Sequence, residues 1–269
     1  MQKKFLSGFA ACCGHLRGLT PLIHCITNPV AMNFNANVLL AVGASPLMSS
    51  RQDESLELAS LSSALYVNIG CPDETLVAAA KESVAAFSEL GKPWVLDPVG
   101  AGAVRLRRDI AIELMSVCPP AVVRGNPSEI MALNGDGFGA RGVDSQAYSD
   151  AALDSARSLA TRFKCVVAVS GAVDYITDGS VTLTVGNGSP VMQTVSGVGC
   201  SESALCAAFA AVDSNPLRAA WCGVALMGLA GERAAAVSSG PGSFQMALLD
   251  ELASFNPAEY TGKIITGLI

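Results

Sequence analysis

LYVNIGCPDETLVAAAKESVAAFSELGKPWVLDP, residues 65–98, decides the fold class. Leu65 to Ile69 is a short, mostly apolar run of the kind that forms a buried strand. Asp73 then caps a helix that carries Val77, Ala80, Val84, Phe87 and Leu90 on one face, and Gly91 stops it before a second apolar run, Trp94 to Leu96. Strand, amphipathic helix and strand in that order make a βαβ unit, whose helical crossover serves parallel neighbours.

Working outward, the same grammar recurs. Ala121-Val-Val123 reads as a strand leading into a helix at Pro127, and a helix over Ala151 to Phe163 feeds a strand over Cys165 to Val169. Tyr175 to Val185, with Asp178-Gly179 at its centre, reads as a β-hairpin. Helices follow over Ser201 to Val212, Pro216 to Ala236 and Phe244 to Phe255. Near the start, Phe5, Phe9, Cys13 and Leu16 recur at helical spacing. The pattern predicts an α/β fold with a mostly parallel central sheet and helices on both faces. No linker, low-complexity tract or repeat divides it, so a single domain is expected over 1–269.

Hydrophobic residues make up 51% of the 269 and charged residues 15%, so much of the chain must be buried in a core or an oligomer interface. With 17 Lys and Arg against 23 Asp and Glu the net charge is −6, which speaks against a nucleic-acid surface or a polybasic membrane patch. Nine cysteines without a CxxC, and only two histidines, leave neither a zinc ribbon nor a thioredoxin-like site to draw. Scattered thiols of this kind fit the cytoplasm. The apolar stretch from Ala219 to Gly231 falls short of the ~20 residues that a membrane helix needs.

In open parallel sheets ligands sit outside the carboxyl ends of the strands, and those positions here are polar. Asp97-Pro-Val-Gly-Ala-Gly102 follows one strand, Arg124-Gly-Asn-Pro-Ser-Glu129 the next, and Ser170-Gly171 a third. Ser196-Gly-Val-Gly-Cys200 opens directly into a helix, so small residues leave backbone N–H groups free to face a phosphate; a plain glycine turn would look the same. Asp97 suits either Mg²⁺ held through water or a turn cap. Arg124 can grip phosphate with its planar fork and Glu129 can orient a metal's water shell; an ion pair and a helix-start carboxylate are the plainer alternatives. Pro21 to Asn28, Met32 to Asn37 and Gly43 to Met48 mix amides with apolar groups, as a pocket for a small heterocycle would. His24 reads as a structural group with its hydrogen bonds satisfied. No GxxxxGK[ST] and no GxGxxG is present.

At these residues the sequence closely resembles the hydroxyethylthiazole kinase family over nearly its whole length. The matching segments are Pro21 to Asn28, Asn33 to Met48, Leu96-Asp-Pro-Val99, Arg124 to Leu133, Asp174-Tyr175 with Thr177-Asp-Gly179, Gly197-Val-Gly-Cys200, and Gly231-Glu-Arg-Ala234 with Gly240-Pro-Gly-Ser-Phe244. The resemblance implies a ribokinase-like fold, Mg²⁺ with ATP as donor, 4-methyl-5-(2-hydroxyethyl)thiazole as acceptor, and a homotrimer with active sites between subunits. Met48 and Gly197 then fall against the thiazole with Asn28 nearby. Arg124, Asn126 and Ser170 fall on the nucleotide, and Asp97 and Glu129 on Mg²⁺ and phosphate. Cys200 falls where most ribokinase-like kinases have an Asp as base, which gives it substrate positioning and proton acceptance, with Gly199 beside it in the anion-binding turn. A thiol with a reference pKa of ~8.5 is a poor substitute as an anion, although a helix N-terminus could lower it. Kinases for hydroxymethylpyrimidine or pyridoxal usually place Asp in this turn, so Cys200 disfavours them. The dehydratases that repair hydrated NAD(P)H share the fold and form the other alternative.

Overall fold

The computed structural model describes residues 2–136 and 145–269, with side chains over 5–136 and 152–269. In chain order the elements are α1 (Gln2–Leu19), β1 (Leu22–Ile26), α2 (Met32–Ala41), β2 (Ser45–Met48), α3 (Ser55–Leu61), β3 (Ala64–Asn68) and α4 (Glu74–Glu89). Then come β4 (Trp94–Asp97), α5 (Arg105–Val117), β5 (Val122–Gly125), α6 (Pro127–Asn134), α7 (Ser145–Phe163), β6 (Val166–Val169), β7 (Asp174–Thr177) and β8 (Thr182–Val185). The chain ends with α8 (Val198–Ala210), α9 (Pro216–Val237), α10 (Pro241–Ser254), α11 (Pro257–Thr261) and β9 (Thr266–Leu268). The strands form one sheet in the order β2-β1-β3-β4-β5-β6-β7-β8-β9, parallel from β2 to β6 and antiparallel from β7 onward.

Two apolar cores sandwich the sheet. On one face α1, α2, α8, α9 and α10 cover Ile23, Cys25, Tyr66, Val95 and Val122; on the other α3 to α7 cover Leu65, Val67, Leu96 and Val123. Burial on both faces is why the strands read as continuous apolar runs. The helical face predicted near the start is buried as expected, with Phe5 and Phe9 meeting Trp221 edge-on at centroid distances of 5.8 and 6.1 Å. Each such fully buried large side chain contributes roughly 1.5–3 kcal/mol. The caps also hold: Asp73 accepts the Leu76 N–H at 2.7 Å, and Asn126 and Glu129 form a reciprocal capping box at the start of α6.

Several elements depart from the sequence reading. β1 and β2 lie inside the segments read as pocket walls, and β9, α3 and α5 were not foreseen. The helix expected from Ser201 starts at Val198, with Gly197 (φ +92°) as its N-cap, so Val198, Gly199 and Cys200 are its first turn. Gly197 occupies the left-handed region that a side chain would strain. Because β1 has β2 on one side and β3 on the other, the connections leaving β1 and entering β3 cross opposite faces, which opens a crevice at the strand ends.

Candidate active site

At that crevice a buried amide pair joins the two loops. Asn28, just after β1, donates from Nδ2 to Oδ1 of Asn68 at 2.8 Å, while its own Oδ1 accepts the Val30 and Ala31 N–H groups. Asn68 also accepts the Gly70 N–H, and its Nδ2 donates to Oδ2 of Asp97 and to the Tyr66 hydroxyl, both at 2.9 Å. The Tyr66 hydroxyl lies 3.2 Å from Asp97 Oδ2 and also reaches the first turn of α8. Four buried side chains thus tie β1, β3 and β4 to the helix that carries Cys200.

The first intrahelical bond of α8 is donated by Ser201 to the Gly197 carbonyl at 2.8 Å, and no side chain caps the helix. The N–H groups of Val198, Gly199 and Cys200 are therefore left without a capping side chain, the arrangement in which a helix end can receive an anion. Arg124, at the end of β5, lies against it: a Cβ on Gly199 would sit 2.9 Å from Nη1. Its Nε donates to Oε1 of Glu202 on α8 at 3.1 Å, rather than to Glu129. Glu129 accepts two backbone N–H groups, from Asn126 at 2.8 Å and from Gly100 at 2.9 Å, so it holds the loop after β4 to the loop after β5.

A cleft of about 720 Å³ opens here, lined among others by Arg124, Asn126, Ser170, Asp174, Gly199 and Glu202. Arg124, Asn126, Ser170 and Gly199 therefore meet, with Cys200 next along the helix. Asp97 and Glu129 belong to the buried layer beneath. Gly197 is close to Phe34, and Asn28 is committed mainly to the amide network. Met48 does not reach this cleft; it borders a separate depression with Ser49, Glu54 and Leu58. Tyr66, Asn68 and Glu202 are not singled out by the sequence reading, and Asp174 enters it only within a matching segment and without a site role, although two polar side chains on one face of β3 and a lone acid in apolar α8 are visible signals. His24 is only half satisfied: Nε2 lies 3.1 Å from the Ser49 carbonyl while Nδ1 has no partner among the described residues, and burial lowers its pKa.

Electrostatics follow from four carboxylates sharing one guanidinium. Burial works against the Arg124 charge, but Glu202, Asp97, Asp174 and Glu129 outweigh it and raise its pKa. Burial pushes Asp97 up to about 7, with Arg124 opposing and Glu129 adding. Burial, then the Glu202 charge, pushes Asp174 up to about 8. Glu129 is raised by burial and restrained by its backbone donors. Cys200 is pushed up to about 12 by burial and then by Asp97, opposite to the lowering a helix N-terminus could give, so burial outweighs the dipole and the thiol stays neutral near pH 7. This surplus of hard oxygen donors fits Mg²⁺. No cluster of three His, Cys, Asp or Glu among the described residues would close a shell alone, which suits an ion that keeps waters and phosphate oxygens.

Comparison with known proteins points the same way. A model of the hydroxyethylthiazole kinase family matches residues 14–258. The hydroxyethylthiazole kinase of Granulibacter bethesdensis is 48% identical over 243 residues, 90% of this chain and 88% of that protein. That of Nitratidesulfovibrio vulgaris is 46% identical over 252 residues, 94% of each. The structure of the hydroxyethylthiazole kinase from Pyrococcus horikoshii superposes with a TM-score of 0.91 at 36% identity, covering 98% of this chain and 99% of that one. Pyridoxal kinase from Staphylococcus aureus, in complex with AMP-PCP and pyridoxal, gives a TM-score of 0.60 at 15% identity over 79% of this chain and 87% of that one, a likeness of fold alone.

Proposed function

The chain belongs to the hydroxyethylthiazole kinase family, and on that premise we propose that its cleft carries the γ-phosphate of ATP to the hydroxyl of 4-methyl-5-(2-hydroxyethyl)thiazole in thiamine salvage. The scaffold is a ribokinase-like α/β sheet, and 1–269 work as one kinase domain. The observation that carries the reading is convergence: Arg124 lies over Gly199 at the uncapped end of α8, with Asp97 buried at the end of β4 and Glu129 buried in the first turn of α6.

In this reading the Val198, Gly199 and Cys200 N–H groups cradle the migrating phosphoryl, and the Arg124 guanidinium neutralises charge on its oxygens. Asn126 and Ser170 line the nucleotide side. Asp97 and Glu129 would hold Mg²⁺, which would supply neutralisation of phosphate charge. Gly197 and Asn28 shape the thiazole side. Cys200 orients the acceptor hydroxyl as a neutral thiol, since a loose transition state demands charge neutralisation and in-line placement more than proton removal. Met48 would join the thiazole site from a neighbouring copy in a homotrimer, in keeping with its distance from the cleft. The protein acts in the cytoplasm; none of the described helices is long and apolar enough to cross a membrane.

A coupled assay of ADP release with a panel of thiazole, pyrimidine and pyridine alcohols tests the reading. Turnover should be strongest with hydroxyethylthiazole and require Mg²⁺. Preference for pyridoxal or hydroxymethylpyrimidine, or ATP cleavage driven by hydrated NADH, would replace it.

A further inference from the structure

Arg124 has five N–H donors, and among the described residues one has a partner: Nε, taken by Glu202 Oε1 at 3.1 Å. No acceptor among the described residues takes Nη1 or Nη2, although the side chain is nine-tenths buried. Both terminal nitrogens lie beside Gly199, at 2.9 and 3.6 Å from where its Cβ would stand, and both residues of the pair line the cleft. Glu202 is itself buried and is the only charged residue of α8.

We propose that Glu202 is a positioning residue for phosphoryl transfer, holding Arg124 by Nε so that Nη1 and Nη2 face the phosphate over the N-terminus of α8. A guanidinium has a rigid planar fork, so fixing Nε and the chain stem fixes the direction of the other two nitrogens. An unpinned arginine would keep its charge and lose its aim. Because Glu202 sits two residues after Cys200 on the same helix, the pin also makes the cation and the N–H cradle one rigid unit. Asp174, the other carboxylate beside Arg124 in the cleft, is occupied by the Gly171 N–H at 2.8 Å and lies on β7, so it does not duplicate this link.

The inference rests on Arg124 meeting the nucleotide phosphates, and a double-mutant cycle separates the two claims. Glu202→Gln keeps size but replaces the charge-assisted acceptor of Nε with a weaker amide oxygen and puts a donor NH2 where a second acceptor stood; it should lower kcat ~10-fold or more while KM for the thiazole alcohol moves less than ~3-fold, as a loosened aim predicts. In an Arg124→Ala background the same change should cost less than ~2-fold, since a residue that acts through Arg124 has nothing left to position. Equal losses in both backgrounds, or a lower melting temperature with unchanged kcat, would overturn the positioning role and leave Glu202 as a structural ion-pair partner. Near-normal turnover of Arg124→Ala alone would instead remove the premise. If Glu202→Gln does not fold, Glu202→Asp, whose shorter arm keeps the charge, carries the same cycle to the same readings.

Discussion

The hydroxyl of Tyr66 lies 2.9 Å from the carbonyl oxygen of Cys200. It joins the buried end of the sheet to the uncapped first turn of α8, and the same oxygen accepts from Asn68 beside Asp97. A strand side chain therefore sets the height of α8 over the strand ends.

Tyr66→Phe keeps the ring and its packing but removes the single O–H that the Cys200 carbonyl and Asp97 share, and with it the oxygen that accepts from Asn68. It should cost about 1–3 kcal/mol in urea unfolding, the range for buried groups left unsatisfied. It should also lower kcat ~10-fold, because the helix turn loses its anchor. Wild-type kinetics together with lost stability would confine Tyr66 to folding.

Gly199→Ala separates activity from stability in the opposite sense. The position is helical with no positive φ, so alanine gains roughly 1 kcal/mol of helix propensity. Its Cβ would stand 2.9 Å from Nη1, so the guanidinium must shift away from the turn. The variant should melt no lower than wild type yet turn over ~10-fold or more slowly. Unchanged kcat would mean that the guanidinium need not lie over this turn.

The parallel sheet and the polar strand ends were legible because turn chemistry announces them: Asp97 and Asn126 to Glu129 sit where an apolar run breaks, and the glycines at 197 and 199 sit where the small-residue, largely apolar helix α8 begins. β1 and β2 were not, since runs of 5 and 4 residues that carry His24 and Pro46 lack a clean period. Tyr66 and Asn68 share one face of β3 while Leu65 and Val67 take the other, so period two did mark them. The partner of Arg124 could not be read, because Glu202 is 78 residues away and only packing brings them together. The direction of the Cys200 shift was not legible for the same reason: local sequence shows a helix start, not how deeply it is buried.

Asp97 gives a pH dependence of stability. Its carboxyl moves from 3.8 to about 7 on folding, so the folded state favours the protonated form. That contribution is full below pH ~4 and is lost as pH rises through ~7. At ~1.4 kcal/mol per pKa unit the loss is at most about 4 kcal/mol. Asp97→Asn offers an amide oxygen to Tyr66 and Asn68 without the charge. In EDTA and without nucleotide it should therefore melt higher than wild type at pH 8, with the gap closing toward pH 4. Asp174, raised to about 8, leaves a residual slope in both proteins. A gap independent of pH would show that the Asp97 charge is not what burial penalises.

Cys200 should matter as a neutral group. With its thiol near 12, essentially no thiolate exists between pH 6 and 9, so removing it cannot delete an inflection from the pH–rate profile there. Cys200→Ala should lower kcat ~10-fold, leave KM for ATP within ~3-fold, and show the same inflections as wild type, since orientation of the acceptor is lost while the phosphate cradle is not. Cys200→Asp supplies the carboxylate that most ribokinase-like kinases have here and should keep activity at or above that of wild type. Its added charge beside Asp97 should raise the lower inflection of the profile, because a second carboxylate makes ionisation of the first harder. An inflection present in wild type and absent in Cys200→Ala would mean that the thiol titrates during turnover, and proton acceptance by sulfur would replace orientation as its role.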